Sequence, residues 1–129
     1  MNNPAQDSYQ LYIGGEWVDA SDGATLDSFC PATGEKLSTI ADATREDVDR
    51  AVEVAWKAFE TWGKTDKTER AAILNKVADI IEENAEKLAL LETLDNGKPI
   101  RETRAIDIAY SMDHFRYFAG VLLADTGEA

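Results

Sequence analysis

The sequence predicts an α/β fold in which short antiparallel strands, filling roughly the first forty residues, precede about four helices. Two observations carry this. Leu11-Tyr12-Ile13 and Glu16-Trp17-Val18 flank Gly14-Gly15, a two-residue loop that tolerates positive φ at both positions. Further on, Leu74, Val77, Ile81, Leu88 and Leu91 recur at the helical spacing of three, four and seven. No internal repeat, low-complexity tract or Pro/Gly/Ser-rich linker divides the two parts, so the chain reads as one domain or as a piece of a larger one.

Residues 1–8 read as a loose polar lead, followed by a hairpin over Tyr9 to Asp19. Ser21-Asp22-Gly23 is a turn signal. Thr25 to Cys30 is strand-like, with Leu26 and Ser28 facing one way and Asp27 and Phe29 the other. Pro31-Ala32-Thr33-Gly34 turns the chain, and Lys36 to Ala41 returns it. Thr44-Arg45-Glu46-Asp47 matches the pattern found at helix starts, although the reciprocal bond is best attested for Glu or Gln in the last place. Val48, Ala51, Val52, Ala55, Phe59 and Trp62 then share one face, and Gly63 ends the run. Thr65 or Asp66 caps the central helix, whose stripe Ile73 and Ile80 widen towards a core. Asn84 breaks this helix and is placed to cap the next, Ala85 to Leu94. Gly97 suits a left-handed stop, and Pro99 suits the first position of a final helix reaching Leu122. Ala105, Ile108, Met112, Phe115 and Ala119 form the inner stripe of that helix, and Gly127 lies past its end. Apolar stripes this broad exceed what two hairpins can cover, so unused apolar surface is expected, directed at another chain or at further sequence.

Composition narrows the function. The 129 residues are 44% hydrophobic, which argues against general disorder. A formal net charge of -12 argues against nucleic acid and against an anionic membrane surface as partners. No apolar run approaches the ~20 residues of a membrane span, and MNNPAQDSYQ lacks the basic and apolar regions of a secretory signal. Cys30 is the only cysteine, which excludes an internal disulfide and fits a reducing, cytoplasmic setting.

No catalytic set emerges from the residues themselves. There is neither Gly-x-Gly-x-x-Gly nor a P-loop to cradle phosphate. His114, the only histidine, has no second ligand nearby and reads as structural or surface. Cys30 has Asp27, Ser28 and Phe29 beside it, none of which would lower a thiol pKa, and it reads as structural. The pairs Glu82-Glu83 and Glu46-Asp47 read as solvated faces. Tyr110, Phe115, Tyr117 and Phe118 gather on one helix, where most are expected in the core and one could line a pocket.

Three stretches in order resemble the N-terminal segment of the NAD(P)-dependent aldehyde dehydrogenase superfamily. They are Tyr12-Ile13-Gly14-Gly15-Glu16-Trp17-Val18; Pro31-Ala32-Thr33-Gly34-Glu35 with Arg45 to Val52 and the Ala58-Phe59 to Trp62 end of that helix; and Leu91-Glu92-Thr93-Leu94-Asp95-Asn96-Gly97-Lys98-Pro99. The third is the most specific, and the match covers about residues 9–120. His114-Phe115-Arg116-Tyr117-Phe118-Ala119-Gly120 resembles the branch acting on acetaldehyde and short aliphatic aldehydes, with betaine aldehyde enzymes a close second.

The resemblance implies that residues 1–129 are the N-terminal portion of a Rossmann-like cofactor domain, with hairpins over about 9–41 and helices over about 44–123. On that basis the apolar stripes are faces meant for a parallel sheet supplied later in the sequence. The thiolate nucleophile, the general-base glutamate, the oxyanion asparagine and the glycine-rich cofactor motif of the family all fall outside this chain, so it carries no catalytic and no cofactor-binding residue, and alone it is expected to be inactive. The complete protein would use NAD or NADP to oxidise an aldehyde to a carboxylate. Cys30 is not the family nucleophile; it stands where the family usually has Asn before Pro, which puts the hydrogen bonding of that turn in question. Positions matching a monovalent-cation site of some members are Ser28, Phe29 and Asp95, although Asp95 also fits a plain helix end. Tyr110 matches a position lining the aldehyde tunnel of relatives. Implied partners are the aldehyde substrate and the remainder of the parent chain or another subunit. The alternative is a stand-alone, non-catalytic module that binds a protein through its exposed apolar helix faces.

Overall fold

The computed structural model describes residues 3–125. Five strands precede five helices: β1 (Ser8–Tyr9), β2 (Leu11–Ile13), β3 (Glu16–Val18), β4 (Thr25–Phe29), β5 (Lys36–Ala41), α1 (Arg45–Trp62), α2 (Lys67–Glu83), α3 (Ala85–Asn96), α4 (Ile100–Glu102) and α5 (Ile108–Ala124), with a wide π turn, Thr103–Asp107, joining the last two. The α/β outline of strands followed by helices is therefore as the sequence predicts. The described residues form two compact units, one of residues 3–64 with 94–96, the other of residues 65–93 with 97–125.

In the first unit β2 and β3 pair antiparallel, with Ile13 opposite Glu16 across the two-residue loop. Gly14 sits at φ 67°, and a Cβ there would come 3.3 Å from Val54 Cγ1, so this position needs glycine twice over. The remaining strands form a sheet of order β1-β5-β4. The expectation of antiparallel strands throughout is corrected here, because β1 runs parallel to β5, Ser8 opposite Thr39. The supposed loose lead is also held: Asp7 O accepts from Thr39 N at 3.0 Å, and Asn3 Nδ2 donates to Leu37 O at 3.3 Å. A bulge interrupts the β4–β5 ladder between Ser28 and Phe29.

The start of α1 closes a full capping box despite the shorter aspartate. Asp47 N donates to Thr44 Oγ1, and Thr44 N donates to Asp47 Oδ2 at 2.9 Å. Ser21 N, 3.1 Å away, donates to the same carboxylate, which ties the Ser21 turn to the helix. The predicted apolar face of α1 does form, but it lies open: Val48, Val52, Phe59 and Trp62 are all exposed, and Trp56 is 67% exposed.

In the second unit α2 packs on α5. The buried contacts are small: Ala71 and Ala78 of α2, one heptad apart, and Ala119 of α5. Alanine at these points lets the helix backbones approach closely. Ile73 and Ile80, expected to widen the core stripe, are exposed because they sit beyond the edge of that contact. Asp66, rather than Thr65, caps α2 through Thr68 N at 2.7 Å. Asn84 does not cap α3; its Nδ2 turns back to donate to Ile80 O at 2.8 Å, closing the end of α2 instead. Gly97 takes φ 80° and stops α3 at Asn96, two residues later than expected. Pro99 occupies the cap before α4 rather than its first helical residue, with an extended ψ of 134°.

The final helix is not the single α-helix expected. In the π turn Ile108 N donates to Thr103 O, a five-residue step that takes up one extra residue. Ile108, Met112, Phe115 and Ala119 do turn inward, but Ala105, on the other side of the extra residue, is exposed, and Thr103 is buried in its place. Gly127 lies outside the described residues. Among the described residues no aromatic side chain is fully buried, and no helix is long and apolar enough to cross a membrane.

Candidate functional site

The surface carries three features with chemical character: a hydroxyl–carboxylate pair, an aromatic face on α5 and the open face of α1. The pair joins β4 to the last turn of α3, within the first unit. Ser28 Oγ donates to Asp95 Oδ1 at 2.9 Å, across 67 residues of sequence. Asp95 therefore does more than end a helix. Phe29 follows directly at the bulge, with its ring exposed to solvent. These donors are hard oxygens and supply a single negative charge, chemistry that suits a weakly held alkali cation better than a transition metal. Among the described residues no group of three His, Cys, Asp or Glu side chains could hold a metal ion.

Tyr110 stands 61% exposed on α5. It shares an open cleft with Asp113, His114, Tyr117 and Phe118, residues one helical turn apart on one face. His114 Nδ1 lies 2.6 Å from Tyr110 O, and its ring meets the tyrosine edge-on at 6.2 Å. Tyr117 and Phe118 meet edge-on at 5.2 Å. His114 is thus occupied by its own helix, as a structural or surface histidine would be. Of the aromatics on this helix only Phe115 turns inward; Tyr110, Tyr117 and Phe118 are exposed, contrary to the expectation that most lie in the core.

Two groups differ from what the sequence suggested. The setting of Cys30 does acidify it: the Thr33 hydroxyl first, then the N–H groups of Ala32 and Thr33, hold the thiol below its ordinary range against burial and Glu35. Cys30 is only 3% exposed, which removes it from solution chemistry. Lys98, which in the sequence stands out only as part of a motif, has its Nζ 2.8 Å from both carboxylate oxygens of Asp107. Asp107 raises the Lys98 pKa, with Glu92 and Glu102 adding to it against desolvation. No periodicity argument could have found this pair, because it depends on the π turn.

The open face of α1 forms an apolar groove lined by Val52, Ala55, Trp56 and Phe59. Neither this groove nor the α5 cleft contains a nucleophile next to a base.

Comparison with known proteins gives these features a context. Residues 17–129 match the model of the aldehyde dehydrogenase family. The chain is 45% identical over 127 residues to acetaldehyde dehydrogenase 2 of Cupriavidus necator, covering 98% of this chain and 25% of that protein. A variant aldehyde dehydrogenase from Bacillus cereus superposes with a TM-score of 0.90 at 40% identity, over 94% of this chain and 25% of its own. The NAD+ complex of the Bacillus cereus enzyme gives 0.85 at 42%, over 88% of this chain and 23% of its own. The chain thus spans about a quarter of the length of the relatives it matches.

Proposed function

The chain belongs to the aldehyde dehydrogenase family, and from that premise we propose that it is the N-terminal part of the cofactor domain of an enzyme oxidising an aldehyde to a carboxylate. The observation that carries this reading is the match over residues 17–129 to a family whose members are about four times as long. NAD or NADP, bound to the complete protein, supplies the hydride acceptor. This chain contributes packing surface and the approach to the aldehyde rather than the reacting groups, and alone it is inactive. The open faces of α1 and α5 await the remainder of the parent chain or another subunit. Tyr110 contacts the aldehyde. Short aliphatic aldehydes such as acetaldehyde come first as substrates, on the 45% identity to an acetaldehyde dehydrogenase; betaine aldehyde comes second. The protein works in the cytoplasm.

Ser28, Asp95 and the backbone at Phe29 hold a monovalent cation. The support is the 2.9 Å hydroxyl–carboxylate pair beside a strand bulge. Potassium or sodium should raise the melting temperature of the protein, and Asp95→Asn should abolish that rise; an equal rise in the variant would remove the assignment.

The test of the main reading is the mass of the native polypeptide, together with NAD-linked oxidation of acetaldehyde by that polypeptide. A species several times heavier than 14.2 kDa that reduces NAD supports it. A native species near 14.2 kDa without activity supports the second reading, a module that binds a protein partner through the α1 groove, which the exposure of Trp56 favours.

A further inference from the structure

The helix from Ile100 to Ala124 carries two competing apolar stripes. Counted as an unbroken α-helix from buried Thr103, the inward positions would be Ile106, Tyr110, His114 and Tyr117, at successive steps of three, four, four and three. Counted from the α2 contact they are Ile108, Met112, Phe115 and Ala119, the set found inside. In an unbroken α-helix Thr103 and Ile108 would point about 140° apart. The π turn absorbs one extra residue and lets both be buried, Thr103 at 0% and Ile108 at 9% exposure. Its consequence is that Ile106, Tyr110 and Tyr117 face outward.

Two anchors hold this turn. At its start the Thr103 hydroxyl lies 3.0 Å from Ala89 O, 3.1 Å from Ile100 O and 2.9 Å from Thr93 Oγ1. At its end Asp107 takes Lys98 on both oxygens. Lys98 directly follows Gly97 at the end of α3, so the ion pair ties the last residue of the turn back to the bend before the helix. A slip of one residue would swing Asp107 by about 100° about the axis and carry it out of reach.

We propose that Lys98 is a positioning residue: clasped to Asp107, it locks the π turn in the register that presents Tyr110 and its neighbours to the aldehyde. This rests on the reading above, in which Tyr110 contacts substrate; the lock itself does not.

The experiment has two arms. In the 129-residue chain, hydrogen exchange reads the opening of the Ile108 N–H bond to Thr103. Lys98→Met should speed that exchange about fivefold, the scale expected for a partly exposed ion pair, leave the Ala78 amide unchanged, and be rescued by Lys98→Arg. In the native polypeptide, Lys98→Met should raise KM for acetaldehyde by a similar factor, with kcat and KM for NAD unchanged, and Lys98→Arg should restore it. Unchanged exchange at Ile108 overturns the lock. Faster exchange with an unaltered aldehyde KM overturns the positioning role and leaves a structural pair. Tyr110→Ala without effect on aldehyde KM, or a native polypeptide without activity, removes the underlying reading and the positioning role while the exchange result stands. Should Lys98→Met not fold, the reversed pair, Lys98→Asp with Asp107→Lys, carries the test: parent exchange and parent KM support the proposal, and loss of either overturns it.

Discussion

Asp47 accepts from Thr44 and Ser21 through one carboxylate oxygen, so a single side chain joins a loop to the start of α1. The Ser21 N–H first, then the Thr44 N–H and the two hydroxyls, hold its carboxyl below the usual carboxylate range against desolvation. A depressed pKa contributes stability above the unfolded value, near pH 4, and that contribution is lost as pH falls through the folded value. Unfolding midpoints in urea should therefore drop below about pH 4. Asp27, beside Lys36, and Asp66, at the Thr68 N–H, act in the same direction. The diagnostic result is a flatter acid limb for Asp47→Asn together with a lower midpoint at pH 7. Thr44→Ala removes the other half of the box and should cost about 1 kcal/mol in the same assay. This box was legible because it lies within four consecutive residues, and the Gly14-Gly15 loop was legible for the same reason. Asn84 was not: its amide can serve the helix before or the helix after, and only the folded chain shows it bonded to Ile80 O.

Among the elements, α2 and α5 are held by what they lack. Ala71, Ala78 and Ala119 bury almost nothing of their own, but they permit the close contact around which Leu74, Met112 and Phe115 are half-buried. Ala78→Leu should therefore overpack the interface and cost about 1–3 kcal/mol, whereas Ile80→Ala, on the exposed side, should stay within about 0.5 kcal/mol. Equal costs in chemical denaturation would mean the helices meet elsewhere. Helical period located the inner stripes well, since it records which residues share a face. It could not locate the π turn, because the extra residue is forced by two tertiary anchors, Thr103 and Ile108, acting at once. The parallel pairing of β1 with β5 was hidden for a related reason: two residues carry no pattern, and their partner lies some thirty residues on. At the candidate site, Ser28 and Asp95 came from likeness to a family; the hydrogen bond between them is a property of the folded chain alone.

For the molecule as a whole, the exposed tryptophans and the small buried core predict marginal stability, since burial must offset the chain entropy lost on folding. The isolated chain should melt at the low end of the range for mesophilic domains and bind a hydrophobic dye. Trp56→Gln with Phe59→Gln should cut dye binding while shifting stability by no more than about 0.5 kcal/mol per site. A large stability loss would mean that the groove is already covered in solution. The Ser28–Asp95 bond has a different reach. It ties residues 94–96 to the unit otherwise made of residues 3–64, so that unit is interrupted in sequence. During synthesis at about 5–20 residues per second, the three missing residues arrive some two to six seconds after Lys64. Throughout that interval β4 exists without its carboxylate partner, and the nascent first unit stays open at that edge until α3 is made and closes it.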